Sequence, residues 1–240
     1  MFLALDTVFG QCSVAIVSDT GAVLYNEFQA GNRMQTQQIL PMIDAALSQA
    51  GVTLEQLTAL VFNRGPGAFS GIRINTAVVQ ALSVAHDLPC VGISSLQILA
   101  QAAFEQQQIE QCYAAHDARM KQVYLGAFAL ESGIMQPLRL ESPSALAELI
   151  NTPTESPNTE CLLDYEKSTP LKLPLVGDGA PLLTAQEGQP VLETLQTDAA
   201  IVARLGAVQF AKEGGVPAEQ ALPVYLRNHA WKTLKEQGKA

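Results

Sequence analysis

Apolar residues fall in short runs whose period changes along the chain. Residues 2–6 (FLALD) form a brief apolar run ending in Asp6. Residues 11–17 (QCSVAIV) have the length and β-branched content of a second strand, Asp19-Thr20-Gly21 reads as a turn, and residues 22–28 (AVLYNEF) read as a third strand. Short runs joined by tight turns predict an antiparallel meander. The period then lengthens: Ile39, Leu40, Ile43, Ala46, Leu47 and Ala50 recur at helical spacing across 36–50. Pro41 predicts a kink or a late start there, because proline lacks a backbone donor, and Gly51 predicts the stop. A buried strand over 59–63, a helix over 71–86 and a short strand over 90–93 follow. Ser94 or Ser95 then caps a third helix carrying Leu96, Leu99, Ala100, Ala103 and Phe104.

The second half opens like the first. Residues 112–117 (CYAAHD) again form a short strand ending in Asp, and Gln122 follows Asp117 at the interval that separates Gln11 from Asp6. Gly133 turns the second meander as Gly21 turns the first, and 175–179 (LVGDG) ends a strand in glycines as 61–67 (VFNRGPG) does. A helix from Asp198 to about Lys212 is expected to turn Ile201, Val202, Leu205, Val208 and Ala211 inward. Two tandem β-β-β-α-β-α units predict an α/β chain with a duplicated ribonuclease-H-like, two-lobed fold, as in the actin, Hsp70 and sugar-kinase superfamily. The expected division is an N-terminal lobe over 1–110 and a C-terminal lobe over 111–240. The second lobe ends in a basic tail whose last helix can pack back on the first. The Pro-, Ser- and Thr-rich stretch 151–170 reads as a surface loop.

Composition narrows the function classes. With 48% hydrophobic and 15% charged residues the chain suits a packed core. Its apolar runs are too short to span a membrane, and the N-terminus reads straight into a strand, so a cytoplasmic protein is expected. Cys12, Cys90, Cys112 and Cys161 form no C-x-x-C pair and read as buried free thiols. The net charge of -9 disfavours autonomous binding to a phosphate backbone. Against that trend, Arg227, Lys232, Lys235 and Lys239 with Glu236 make the tail from Arg227 onward +3, leaving -12 for the rest. That tail is either a solvated helix or a docking segment for a partner or RNA.

In this fold nucleotide sits between the lobes, with a hairpin of each lobe wrapping phosphates through backbone N–H groups. The hairpins here are 6–10 (DTVFG) and 117–121 (DARMK). The first offers Asp6, Thr7 and one glycine but carries bulky Val8 and Phe9; the second offers Asp117 and Arg119 but no glycine. Close approach of backbone to phosphate favours glycine, so both positions read as a degenerate nucleotide site. The loop 63–73 (NRGPGAFSGIR) packs glycines and a proline between strand and helix and can present N–H groups to an anion, with Ser70 as a candidate cap; it can equally be a tight structural turn. It has no G-K-[ST], the chain has no G-x-S-x-G, and His86, His116 and His229 lie too far apart for a metal motif. Asp6 and Asp117 lack the neighbouring carboxylates of a two-metal nuclease. The helix over 71–86 is apolar on most of its circumference, which predicts complete burial or a protein interface.

Four motifs in order, LALDT (3–7), RGPGAFSGIR (64–73), DARMKQVY (117–124) and PVYLRN (223–228), with QQILPMI (37–43) between them, resemble the TsaB (YeaZ) family. The resemblance implies an actin-like paralogue of the catalytic subunit TsaD with a degraded active site and no catalytic residues. It also implies pairing with TsaD through helices of the first lobe, and recruitment of the ATPase TsaE. That assembly transfers a threonylcarbamoyl group from its adenylate to the adenosine beside the anticodon of tRNAs reading codons that start with A. On this reading the interface draws on Ile39, Leu40, Ile43, Leu47, Arg64, Gly65, Gly67, Arg73, Ala77, Val78, Ala81 and Leu82. No metal and no cofactor are expected in the isolated chain, ATP is used by the partner ATPase, and a homodimer forms when the partner is absent. The H-x-x-x-H of TsaD-like relatives is replaced by RMQTQQ (33–38). The competing expectations are an ATP-dependent phosphotransferase of the same fold and a homodimeric scaffold unrelated to RNA.

Overall fold

The computed structural model describes residues 1–31, 34–138, 160–167 and 171–227. β1 (Phe2–Asp6) is buried along its whole length and lies at the centre of a five-stranded sheet ordered β3-β2-β1-β4-β5. β2 (Gln11–Val17) and β3 (Val23–Ala30) continue the meander antiparallel, while β4 (Ala59–Gly65) and β5 (Cys90–Ser94) pair parallel on the other side of β1. The second sheet repeats this plan in the order β11-β10-β6-β7-β8. β6 (Gln111–Arg119) takes the place of β1, antiparallel to β7 (Gln122–Glu131) and parallel to β10 (Leu175–Val176), which pairs parallel with β11 (Val191–Leu192). β8 (Ile134–Pro137) and β9 (Glu160–Asp164) share the far edge of β7, together standing where β3 stands in the first sheet. Two sheets of matching order and polarity make this the duplicated ribonuclease-H-like fold. β9 corrects the expectation of an unstructured loop over 151–170; residues 151–159 and 168–170 of that loop, and the tail beyond Arg227, lie outside the described residues.

The helices fill the layers around the first sheet. α1 (Gln35–Ala50) and α2 (Phe69–His86) cover one face with a core built on Leu3, Leu5, Ile16, Ile39, Ile43, Leu60 and Phe62. α1 starts at Gln35 rather than after Pro41; that proline lies inside the helix on its exposed side. Gly51 ends α1 at φ 66°, the left-handed stop its position predicts. α3 (Ser95–Gln107) begins at Ser94, whose hydroxyl accepts from the Leu96 N–H at 3.1 Å. It packs Ile98 and Ala102 against the first sheet and Leu96, Leu99, Ala100 and Ala103 against the second, so it is the layer shared by both lobes.

α4 (Ala199–Glu213) crosses the expected division. It belongs to the second half in sequence, yet its buried face of Ala199, Ile201, Val202 and Leu205 lies on the first sheet beside Phe2, Ala4, Ala15 and Val61. A Cβ at Gly206 would stand 2.2 Å from a Val61 methyl, a measure of how closely helix and sheet approach. Ala211, expected inward, is exposed, while its neighbour Phe210 packs edge-on against Phe2. After α4 the chain returns across the first lobe: Cys90 and Val216 exchange backbone bonds, Gln80 donates to the Ala218 and Ala221 carbonyls, and the Val224 N–H donates to Arg64 O at 2.8 Å. Among the described residues no helix is long and apolar enough to cross a membrane.

Candidate functional site

The two hairpins face each other across the cleft between the sheets, and both are closed by their own side chains. Asp6 is 1% exposed. Its Oδ1 accepts from the Val8 N–H at 2.9 Å and Asn63 Nδ2 at 3.2 Å, and its Oδ2 accepts from Gln11 Nε2 at 2.7 Å. Burial pushes its pKa up to about 6, against the opposing pull of those three donors. Thr7 is fully buried, its hydroxyl spent on the Gly71 carbonyl at 2.7 Å. At the tip Phe9 adopts φ 57° and its ring stacks on His116 of the second lobe, centroids 3.8 Å apart and planes 22° apart. His116 Nδ1 in turn lies 2.7 Å from Asp178 Oδ1. The tip of the first hairpin is thus held against β6 by an aromatic stack anchored to a carboxylate.

The second hairpin turns through Met120 and Lys121, at φ 56° and 63°, the positive values a two-residue hairpin requires. Asp117 and Arg119, both on this hairpin, bind each other. The Arg119 N–H donates to Asp117 Oδ1 at 2.8 Å and its guanidinium to Oδ2 at 2.7 Å. Arg227, on the returning C-terminal segment, donates Nη2 to the Ala118 and Arg119 carbonyls and to Gln122 Oε1, and so ties this turn to the first lobe.

The loop 63–73 explains its glycines by two different means. Gly65 lies at φ 90°, where other residues are strained. Gly67 has no such φ; a Cβ there would stand 2.3 Å from a Val8 methyl and 2.9 Å from the Phe9 ring, so it is required by close packing of loop on hairpin. α2 starts at Phe69 behind an extended Ala68, with no side-chain cap, so Ser70 does not cap it. Ser70 falls inside the first turn, where its hydroxyl no longer precedes the free N–H groups. Phe69 and Arg73 project into the cleft mouth. The Arg73 guanidinium lies 3.6 Å from the Phe69 ring centroid, and its Nε donates to Tyr225 Oη at 3.0 Å. These groups, with Phe9, Asp117, Arg119 and Arg227, line a cavity of about 790 Å³.

The helical residues divide by burial. Ile39 and Ile43 are 1% and 3% exposed inside the first-lobe core, so they are removed from the expected interface: the helix turns that edge onto β1 and β2. Gly65 is likewise buried, and Leu47, Val78 and Leu82 are partly covered by the same core. Leu40 on α1 and Arg73, Ala77 and Ala81 on α2 are exposed, together with Val84 at 76%. Arg64 is half-buried, with its carbonyl taken by Val224.

Among the described residues no three His, Cys, Asp or Glu side chains gather as metal ligands. All four cysteines are buried, and burial pushes the thiols of Cys112 and Cys161 up to about 12. The groups that sequence reasoning passed over are His116, Asp178 and Tyr225: each is tied to its partner across the chain, which no local spacing displays.

The family model described as "TsaD: tRNA N6-adenosine threonylcarbamoyltransferase" matches residues 29–234. The tRNA threonylcarbamoyladenosine biosynthesis protein TsaB of Haemophilus influenzae is 33% identical over 237 residues, covering 97% of this chain and 96% of that protein. TsaB of Escherichia coli K12 is 33% identical over 242 residues, with 97% of each chain covered. Among solved structures, YeaZ from Pseudomonas aeruginosa superposes with a TM-score of 0.78 at 34% identity, covering 94% of this chain and 99% of that one.

Proposed function

The chain belongs to the TsaB (YeaZ) family, within reach of the TsaD family model, and takes part in threonylcarbamoyladenosine biosynthesis on tRNA; from that premise we propose that it is the non-catalytic partner subunit of the transferase. It pairs with a TsaD-like catalytic subunit, a TsaE-like ATPase joins the pair, and the ATP is consumed by that ATPase. This chain holds no cofactor of its own. It works in the cytoplasm and self-pairs when its partner is missing.

The observation that carries this reading is the outer face of α2. Arg73, Ala77, Ala81 and Val84 recur at helical spacing and are all exposed, beside exposed Leu40 and Pro41 of α1. A soluble helix turns polar residues outward; small apolar ones there let another helix approach closely. The non-catalytic part of the reading draws on the hairpins. A phosphate clamp needs free groups at the hairpin, whereas Asp6 and Thr7 are committed internally and Phe9 is stacked on His116. These closures count equally against the phosphotransferase alternative.

A helical interface of standard size buries about 1,600 Å² in total. A carboxylate in its dry centre costs several kcal/mol on the order of a lost buried pair. Because Ala77 and Ala81 are exposed in the single chain, Ala77→Glu and Ala81→Glu leave the fold intact. Titration of each variant against the TsaD-like subunit is expected to show association weakened about a hundredfold, and reconstituted tRNA modification to fall in step. Wild-type affinity in both variants would move the interface to another surface.

A further inference from the structure

The geometry points to a seat for one acidic side chain of a protein partner, in a groove between α2 and the returning C-terminal segment, with its carboxylate bound by Arg73. The inference rests on the α2 interface proposed above and adds what the partner must present there. The groove, of about 480 Å³, runs along the outer face of α2 past Arg73, Thr76 and Ala77, and its far wall is Leu222, Pro223 and Tyr225. Gln80 fastens that wall by donating to the Ala218 and Ala221 carbonyls. Leu222 is 59% and Tyr225 42% exposed, so an apolar wall stands open beside the small side chain of Ala77.

Arg73 is held in place without being neutralised. Its guanidinium lies 3.6 Å from the Phe69 ring centroid, and its Nε donates to Tyr225 Oη at 3.0 Å. One face and one edge are thereby used, while among the described residues its two Nη groups meet no acceptor and no carboxylate pairs with it. That free end is the fork that takes both oxygens of a carboxylate, and a guanidinium already stacked loses little freedom on binding. A second group in the groove lacks a partner. Thr76, one turn along α2, is 5% exposed, and its hydroxyl bonds to no described residue. Threonine in a helix has two accessible χ1 wells, so this hydroxyl can turn to an acceptor seated beside it and end the penalty of an unmet buried donor. Charge selects the occupant. No Asp or Glu lines the groove, which makes it a cationic spot on a chain of net charge -9. The acidic remainder of the chain disfavours a phosphate backbone, and the apolar wall covers the stem of a Glu or Asp. A charge pair closed inside an interface attracts far more strongly than one in solvent.

The test uses the full chain and the TsaD-like subunit. Arg73→Met keeps an unbranched stem over Phe69 and removes the charge. It is expected to weaken association about tenfold and to flatten its dependence on sodium chloride between about 0.05 and 0.5 M. Arg73→Lys keeps the charge and loses the fork, so it is expected to retain the salt dependence at an affinity lowered severalfold. It also supplies an amine at position 73. Treating that complex with a water-soluble carbodiimide, which condenses an amine with a carboxylate to an amide, is expected to join position 73 to an Asp or Glu of the TsaD-like subunit, located by peptide mass spectrometry. Arg73 is exposed, so both variants keep the fold. Wild-type affinity and salt dependence in Arg73→Met would overturn the proposal. So would a cross-link from position 73 only within this chain or to a second copy, or a loss of tRNA binding in Arg73→Met with pairing intact. Ala77→Glu separates the two possible failures: if it still dissociates the pair, the α2 interface stands and only the acidic seat falls; if it does not, the interface reading falls as well.

Discussion

Phe9 sets two effects of similar size against each other, and substituting it separates them. Its left-handed φ of 57° costs a non-glycine residue about 1–2 kcal/mol. The stack on His116 returns about 0.5–1.5 kcal/mol beyond area burial, and covering roughly half of the ring adds about 1 kcal/mol more. Phe9→Ala keeps the backbone cost and loses both gains, a loss of about 2 kcal/mol. Phe9→Gly loses the same contacts but recovers the backbone cost, less about 0.5–1 kcal/mol for its looser unfolded chain. The glycine variant is therefore expected to be the more stable of the two by several tenths to 1 kcal/mol, reversing the usual order of alanine over glycine. Urea denaturation followed by far-UV circular dichroism measures both, provided the m-values agree. If alanine equals or exceeds glycine, residue 9 is not held in the left-handed region, and the account of the closed cleft loses its anchor.

Two further outcomes follow from the same region. Gly67→Val forces a side chain into Val8 and the Phe9 ring and is expected to cost about 1–3 kcal/mol, lowering the Tm by about 3–10 °C and weakening partner association; an unchanged melting curve with normal assembly contradicts it. Asp6 is raised to about 6, so between about pH 4 and 6 the folded chain binds more protons than the unfolded one, and stability falls as pH rises through that window by up to roughly 3 kcal/mol. Asp6→Asn removes this dependence, so the stability difference between wild type and variant should change between pH 4.5 and 7; a constant difference is inconsistent with a protonated buried Asp6.

Local pattern made most of the first lobe legible. Short apolar runs and tight turns announce β1 to β3, helical spacing announces α1, and Gly51 and Ser94 act as the stop and the cap their chemistry suggests. What stayed hidden is non-local. Ile39 and Leu40 are adjacent and equally apolar, yet one is buried and the other exposed, because only the placement of β1 beneath the helix decides which side faces in. β9 lies inside a Pro-, Ser- and Thr-rich stretch that reads as loop, and it forms because β7 offers it an edge to pair with. The start of α2 at Phe69 rather than Gly71, and its missing cap, go with a loop path packed on Val8 and Phe9 of the neighbouring hairpin, some sixty residues earlier in the chain. The cleft side chains were readable as residue types, but their mutual engagement was not. Asp117 with Arg119 is a contact two residues apart; His116 with Asp178 spans 62 residues and Arg73 with Tyr225 spans 152.

The position of α4 has a consequence in the order of synthesis. The first sheet is complete once β5 is made, but the face holding Phe2, Ala4, Ala15 and Val61 is covered by a helix that begins at Ala199. At about 5–20 residues per second, the interval from residue 110 to residue 213 lasts roughly 5–20 s, during which that apolar face has only Ile98 and Ala102 of α3 as cover. A fragment released before Ala199 keeps that face without α4 permanently, which is expected to make it a substrate for chaperones and proteases rather than a stable half-protein. Residues 1–110 are therefore a lobe in geometry but not an independent folding unit: the nascent first half waits for the second to finish it.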